Sequence, residues 1–281
     1  MKDTFFILLQ HLLPQHLLSR AVGYLAASRI NWIKSPFIKL FAKQYQVNMS
    51  EALIEDLDQF ANFNEFFTRE LKPGMRPLAD AKLVSPADGA ISQIGTINYG
   101  RIFQAKGRGY GLTTLLGGHT EISDPFINGR FATIYLSPKD YHRVHMPVTG
   151  TLRETIYIPG DLYSVNQTTA EGVDNLFARN ERLVAIFDTE YGPMAMVLVG
   201  AMIVAGIETV WAGQVAPQQN KSWRISHQKP PEPVILEKGA EMGRFKLGST
   251  VVLLFGKDAI EWSDQLKAET PVQLGQAISS Q

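Results

Sequence analysis

The residues that could do chemistry in this chain are few and fall in three short stretches. The first is "KDYHRVHMP", in which His142 and His145 stand three apart. On a helix such a pair shares a face and on a strand it points to opposite faces. With a distant aspartate it could bind zinc, and it also reads as two polar loop residues. The second is "SPADGAIS", where Asp88 precedes Gly89, a common turn pair. The third is "FKLGSTVVLLF", where Gly248, Ser249 and Thr250 sit directly before an uncharged, β-branched apolar run. Gly-Ser-Thr at a strand entrance is ordinary turn chemistry, yet a serine becomes a nucleophile wherever a base takes its proton. Spacing alone leaves these alternatives open. The chain has no cysteine, which excludes disulfides, thiolate nucleophiles and Cys-based zinc sites. The "GRGYG" run at 107–111 lacks the Lys-Ser/Thr of a phosphate loop and any βαβ surroundings, so that reading is discarded.

The elements that must position these residues differ in texture along the chain. With 281 residues, 45% hydrophobic and 19% charged, the chain can bury a large core. The net charge of zero hides an asymmetry. Residues 1–47 carry Lys2, Arg20, Arg29, Lys34, Lys39 and Lys43 against the single acid Asp3. Their apolar runs are too short for the ~20 residues that span a bilayer. Leu18, Val22 and Leu25 share one helical face, and Ile33, Phe37 and Phe41 share another. Basic residues, Trp32 and several Phe flank these stripes, a pattern of helices lying in a membrane interface or packed on the body. The basic residues are interleaved with large aliphatics, which favours an anionic membrane over nucleic acid.

Asn48 with Glu51 resembles a capping box and predicts a short helix with Leu53, Leu57 and Phe60 on one face. A second helix is expected over "NFNEFFTREL", stopped by Pro73-Gly74. From about residue 80, short apolar runs at 130–136, 183–188, 194–207 and 251–255 are separated by Gly, Pro and Asn. They predict a β-rich, mostly antiparallel body. The fold class expected is α+β, with an amphipathic, membrane-associating segment over 1–47 and a catalytic domain over 48–281.

Taken together, "FNEFFTRELKPGMRPL", "SPADGAI", "QAKGRGYGLTTLLGG", "YLSPKDYHRVHMPVTG", "NERLVAIFDTEYG", "VGAMIVAGIETVW" and "EMGRFKLGSTVVLLF" closely resemble the short bacterial, membrane-associated phosphatidylserine decarboxylases. The resemblance implies a proenzyme that cuts itself between Gly248 and Ser249, giving a large chain 1–248 and a small chain 249–281. Ser249 would attack the Gly248 carbonyl. His145 matches the family's base and Asp88 the carboxylate that orients it, in triad logic. After elimination Ser249 would become a pyruvoyl group, the cofactor that forms a Schiff base with phosphatidylserine and accepts electrons as CO2 leaves. His142 is expected to help decarboxylation by positioning the substrate carboxylate or delivering the proton, and Tyr135 is a pocket candidate. No metal is implied. The resemblance also implies a peripheral protein on the cytoplasmic face of the cell membrane and a homodimer of processed pairs. Two other readings of the same residues stand beside it. One is a zinc hydrolase using His142, His145 and Asp88; the other is a non-catalytic binder of anionic lipid.

Overall fold

The computed structural model describes residues 2–202, 206–217, 221–228, 232–246 and 249–280. Three helices lead the chain: α1 (Lys2–Leu12), α2 (Gln15–Ala26) and α3 (Asn31–Tyr45), followed by the short α4 (Phe63–Phe67). Next come β1 (Gly89–Thr96), β2 (Arg101–Ala105), β3 (Arg108–Gly111), α5 (Leu112–Leu115), α6 (Thr120–Ser123), β4 (Arg130–Leu136), β5 (Arg143–His145) and β6 (Gly150–Ile158). After α7 (Gln167–Gly172) and α8 (Leu176–Arg179) the chain is again extended: β7 (Arg182–Thr189), β8 (Gly192–Val199), β9 (Gly206–Thr209), β10 (Gly213–Ala216) and β11 (Trp223–Ser226). The last strands are β12 (Ile235–Leu236), β13 (Glu241–Lys246), β14 (Ser249–Phe255) and β15 (Pro271–Val272). The α+β expectation holds. Among the described residues a large antiparallel sheet runs β11-β6-β7-β8-β14-β4-β1-β15, with β12 also on β6, and a smaller sheet runs β10-β9-β13-β5.

The reason "STVVLLF" is apolar at every position past the threonine lies in its place. β14 pairs with β4 on one side and β8 on the other. Val251, Leu253 and Phe255 face one hydrophobic cluster while Val252 and Leu254 face a second. A strand buried on both faces reads as a continuous apolar run, since no position meets water. The "GRGYG" run is a turn and strand of the β2–β3 hairpin.

The front of the chain departs from the sequence expectation. Residues 48–56 form no helix. Asn48 Oδ1 accepts from the Ser50 amide at 3.1 Å and its hydroxyl at 2.8 Å, a local turn bond that competes with helical capping. Ala52 instead bridges Leu71, and Leu57–Gln59 make a 3-10 turn capped by Asp56. The second helix exists but ends at Phe67, well before Pro73, because the chain must turn at Thr68 to reach that bridge. Its N-cap is Asn62, whose side chain accepts from Glu65 N. Phe63, Phe66 and Phe67 are all buried. They form one aromatic cluster with α3, Phe37 stacking on Phe63 at 4.2 Å and Phe41 meeting it edge-on at 4.9 Å.

The leading helices turn polar groups inward and apolar groups outward. Gln10 Oε1 accepts from Ser164 N at 2.8 Å, Gln15 Oε1 from Leu162 N at 2.7 Å, and His11 Nδ1 lies 2.8 Å from Tyr163 OH. Lys34 Nζ donates to the carbonyls of Phe60 and Asp58. Phe5, Leu8, Leu12, Leu17, Tyr24, Trp32 and Leu40 are exposed. The loop 159–166 is the seat of α1 and α2. The aromatic cluster generates a stability prediction. Phe63→Ala removes a fully buried ring and should cost about 3–5 kcal/mol, read as a lower denaturant midpoint at unchanged slope.

Candidate functional site

Both histidines follow from the way the chain leaves β4. Residues 137–142 turn at the end of that strand and lead into β5, which pairs with β13 so that His145 lies opposite Glu241. His142 is fully buried, with its ring 3.9 Å from that of Phe67. Its Nδ1 is 2.9 Å from the Asp140 carbonyl. A carbonyl can only accept, so Nδ1 carries the proton and Nε2 the lone pair. That Nε2 has no hydrogen-bond partner among the described residues. Burial pulls the His142 pKa down to about 3, against the opposing Asp140 carbonyl and with help from the Arg69 charge.

His145 is held in the same tautomer by a different carbonyl. Its Nδ1 is 2.8 Å from Gly239 O and its Nε2 is 3.3 Å from Tyr141 OH. Burial lowers its pKa; the Gly239 carbonyl and Glu241 oppose that shift, Arg143 adds to it, and Asp88 opposes it. Gly239 has φ +84, and a Cβ there would lie 2.5 Å from Leu78 Cδ1, so only glycine lets this carbonyl approach the ring. The two imidazoles are thus both neutral proton acceptors at neutral pH.

The structure brings Asp88 to this site but not onto His145. His145 N donates to Pro86 O at 2.8 Å, which docks the "SPADG" segment beside β5. The Asp88 carboxylate itself accepts from Arg76 Nε at 2.9 Å, from Arg76 Nη2 at 2.6 Å and from Leu274 N at 2.9 Å. No hydrogen bond joins Asp88 to His145 among the described residues; the orienting contact expected of Asp88 is made by the Gly239 carbonyl. Gly89 is not the second residue of a turn but the first of β1. A Cβ there would meet Tyr135 O at 2.3 Å, so glycine is required for β1 to reach β4.

Ser249 opens β14 opposite Leu136. It is fully buried, and neither its Oγ nor Thr250 Oγ1 has a hydrogen-bond partner among the described residues. A buried hydroxyl without a partner costs about 1–3 kcal/mol, and such a group is a candidate for chemistry rather than for turn stabilisation. Gly248, the other half of the expected cleavage site, lies outside the described residues. Tyr135 sits on β4 between Ala90 and Thr250. It packs against the second hydrophobic cluster, and burial, then Asp140 and Tyr45, push its pKa up.

A cavity of about 330 Å³ opens beside His145, lined by Arg76, Tyr141, Arg143, Gly239, Glu241 and Leu274 among others. Arg143 is tied to Glu241 at 3.0 Å and Glu70 at 3.1 Å. Arg69, whose charge disfavours a proton on His142, is buried with its Nε unpartnered among the described residues, and burial lowers its pKa. Sequence reasoning missed Arg69, Arg76, Tyr141 and Gly239 as site residues. Arg69 and Arg76 lie inside the quoted "FFTRELKPGMRPL", yet nothing local tells a site arginine from a surface one. Among the described residues no three His, Asp or Glu side chains gather in a metal-binding arrangement, so the zinc set of His142, His145 and Asp88 is not assembled.

An α+β body thus carries a desolvated serine at the entrance of β14 and two neutral histidines on the stretch that follows β4, the partner strand of β14. The chain belongs to the phosphatidylserine decarboxylase family, whose model matches residues 63–280. A second family model, described as PSD, matches residues 5–46. Proteins named phosphatidylserine decarboxylase proenzyme from two Pseudomonas fluorescens strains are each 59% identical to it. One alignment covers 99% of this chain and 98% of the relative, the other 100% and 99%. A protein of that name from Pseudomonas putida is 58% identical over 100% of this chain and 99% of its own length.

The buried state of His142 sets a pH prediction. Its folded pKa of about 3 lies below the unfolded value of about 6.5. The neutral ring therefore contributes stability above pH ~6.5, and this is lost as pH falls toward 3, at up to about 1.4 kcal/mol per pH unit. Thermal melts between pH 7.5 and 5 should show a shallower decline for His142→Gln than for the unaltered chain.

Proposed function

We propose that this chain is a self-processing decarboxylase that converts phosphatidylserine to phosphatidylethanolamine and CO2. The observation that carries the reading is the fully buried Ser249 Oγ with no partner among the described residues, in a member of a family whose relatives are named proenzymes. In the first reaction Ser249 Oγ attacks the Gly248 carbonyl carbon while its proton passes to a base. The C–N bond breaks, leaving an ester and a free amine on Ser249. Elimination across Cα–Cβ then releases the chain 1–248 with a carboxylate end. Water hydrolyses the remaining enamine, ammonia leaves, and residue 249 is a pyruvoyl group. His145 is the base we assign: Gly239 O keeps the proton on Nδ1, and the Nε2 lone pair, which meets Tyr141 OH at 3.3 Å, would receive the serine proton once that long bond gives way. Asp88 acts on it as a nearby negative charge. Burial on both faces of β14 suits this step, because a desolvated hydroxyl and a neutral imidazole need shed no water shell.

The unpartnered Ser249 Oγ and the dry strand entrance fit a pyruvoyl group at that position, held covalently at the head of the small chain. Its carbonyl supplies the electrophile that condenses with the substrate amine and takes up the electrons released with CO2. His142, neutral and packed on Phe67, presents an uncharged face that favours dispersal of the carboxylate charge, and its Nε2 can relay a proton at the reacting carbon. The small chain 249–281 is expected to stay bound after the cut, since β14 is hydrogen-bonded to β4 and β8 and β15 to β1.

The lipid substrate gives the leading helices their role. Among the described residues no helix is long and apolar enough to cross a membrane. The exposed apolar face of α1 to α3, set among basic residues, suits an anionic bilayer surface. We assign the chain as a peripheral protein of the cytoplasmic membrane face. Phe5, Leu8 and Leu12 dip into the interface while Gln10, His11 and Gln15 hold the helices to the body.

Two experiments test these readings. Intact-protein mass spectrometry after expression should find two pieces that meet at 248/249, the smaller without a free α-amine. Ser249→Ala should stay whole, and a wild-type chain still whole after long incubation removes the reading. In pelleting assays with phosphatidylserine-containing vesicles, Leu8→Glu with Leu12→Glu should weaken binding by more than about tenfold, because two leucines of ~1.5–3 kcal/mol each leave the apolar phase. Equal pelleting removes the membrane role.

A further inference from the structure

The Asp88 carboxylate is committed before His145 can use it. Its two oxygens take the fork of one guanidinium, Arg76 Nε reaching both at 2.9 and 3.1 Å and Nη2 reaching Oδ2 at 2.6 Å. Oδ1 also accepts from the backbone N–H of Leu274 at 2.9 Å. Arg76 is held in turn by Glu51, at 2.7 Å from Nη2, and by the Met75 carbonyl at 2.8 Å. Both side chains of the Arg76–Asp88 pair are only 10% exposed. Arg76 and Leu274 line the same cavity as His145. Three separate segments therefore meet on one carboxylate: the "KPGMRPL" loop, the start of β1, and the stretch beyond β14.

We propose that Arg76 is a positioning residue for self-cleavage: its planar fork fixes the Asp88 carboxylate at the edge of the His145 cavity and, through Asp88, anchors Leu274 in the segment that becomes the small chain. This assignment rests on the self-cleavage reading above. A carboxylate whose lone pairs are already engaged does not orient an imidazole by hydrogen bonding. It acts as a fixed charge, and its effect depends on where it is held. Two parallel N–H donors from one rigid plane fix both the place and the rotation of a carboxylate. An ammonium group provides charge but no fork. The cavity side of Asp88 is thereby set by Arg76, while His145 takes its tautomer from Gly239. The same carboxylate also joins residues that the cut would leave on different chains, Arg76 and Asp88 on the large one and Leu274 on the small one.

The test follows the rate of cutting at 248/249 in freshly translated full-length chain. Arg76→Ala should slow the cut by about ten- to a hundredfold, the loss expected when a catalytic group shifts by about 1 Å. Millimolar guanidinium chloride should restore part of that rate, and equimolar ammonium or sodium chloride should not. Arg76→Lys should cut at an intermediate rate. Cutting of R76A at the wild-type rate overturns the proposal. So does slow cutting that guanidinium leaves unchanged, which would make Arg76 a general packing residue. If R76A is not recovered folded, R76K decides: a wild-type rate overturns the proposal, and slower cutting at unaltered melting temperature carries it. A wild-type chain that never cuts removes the self-cleavage reading itself. A wild type that cuts, beside an R76A that cuts equally fast, removes only the assignment of Arg76.

Discussion

Everything about the site depends on where β14 lies. It is an interior strand of the large sheet, hydrogen-bonded on both edges and covered on both faces by separate hydrophobic clusters. A hydroxyl at its first position is dry because the strand is dry. The surrounding apolar packing supplies no donor or acceptor to Ser249, and that absence of partners among the described residues distinguishes it from a turn serine. The same two-sided pairing would retain the strand once the chain before it were cut. The proposed reactivity at one end and retention along the length would both follow from one burial pattern.

Around this strand the charges are arranged by desolvation. His142 is fully buried and His145 partly so, and desolvation favours their neutral forms, each with its proton directed to a backbone carbonyl. Asp88, the acid expected to orient His145, makes no hydrogen bond to it among the described residues. It is occupied by Arg76 and by Leu274 N, and the cavity beside His145 is rimmed by further ion pairs between Arg143, Glu70 and Glu241. Charged side chains therefore set the field at the site, and carbonyls set the tautomers. In a low-dielectric setting this division is economical, since a carbonyl fixes a ring without burying another charge.

The leading helices invert the usual amphipathic arrangement in part. α3 buries Ile38 and Ala42 and packs Phe37 and Phe41 on α4, as a packed helix does. α1 and the start of α2 instead hold the body through Gln10, His11 and Gln15 and leave large apolar residues outside. Hydrogen bonds fix the helices in place without consuming the apolar surface that a membrane would cover. Phe67 belongs to the cluster beneath α3 and also touches His142, so the helical layer and the histidine loop share a wall.

Much of this was legible in the residues. The uninterrupted "VVLLF" marked a strand buried on both faces, and the alternation of short apolar runs with Gly, Pro and Asn marked an antiparallel body. The three chemistry-bearing stretches stood out by residue type, and the joint resemblance of many motifs named the family. The helix read over 48–60 failed because local polarity looked like a cap, whereas the backbone there was claimed by a bridge to Leu71, a partner beyond the reach of any local pattern. The partners of Asp88, Arg76 and Leu274, lie twelve and 186 residues away along the chain. Gly239 is 94 residues from the His145 ring it orients. By itself, then, the sequence determined which groups have the chemistry to react and which segments are apolar, because those are properties of side chains and their near neighbours. Only the tertiary structure decided which carbonyl fixes each histidine and which cation holds Asp88. Hydrogen bonds form between whatever the folded backbone brings within about 3 Å, and sequence distance places no limit on that.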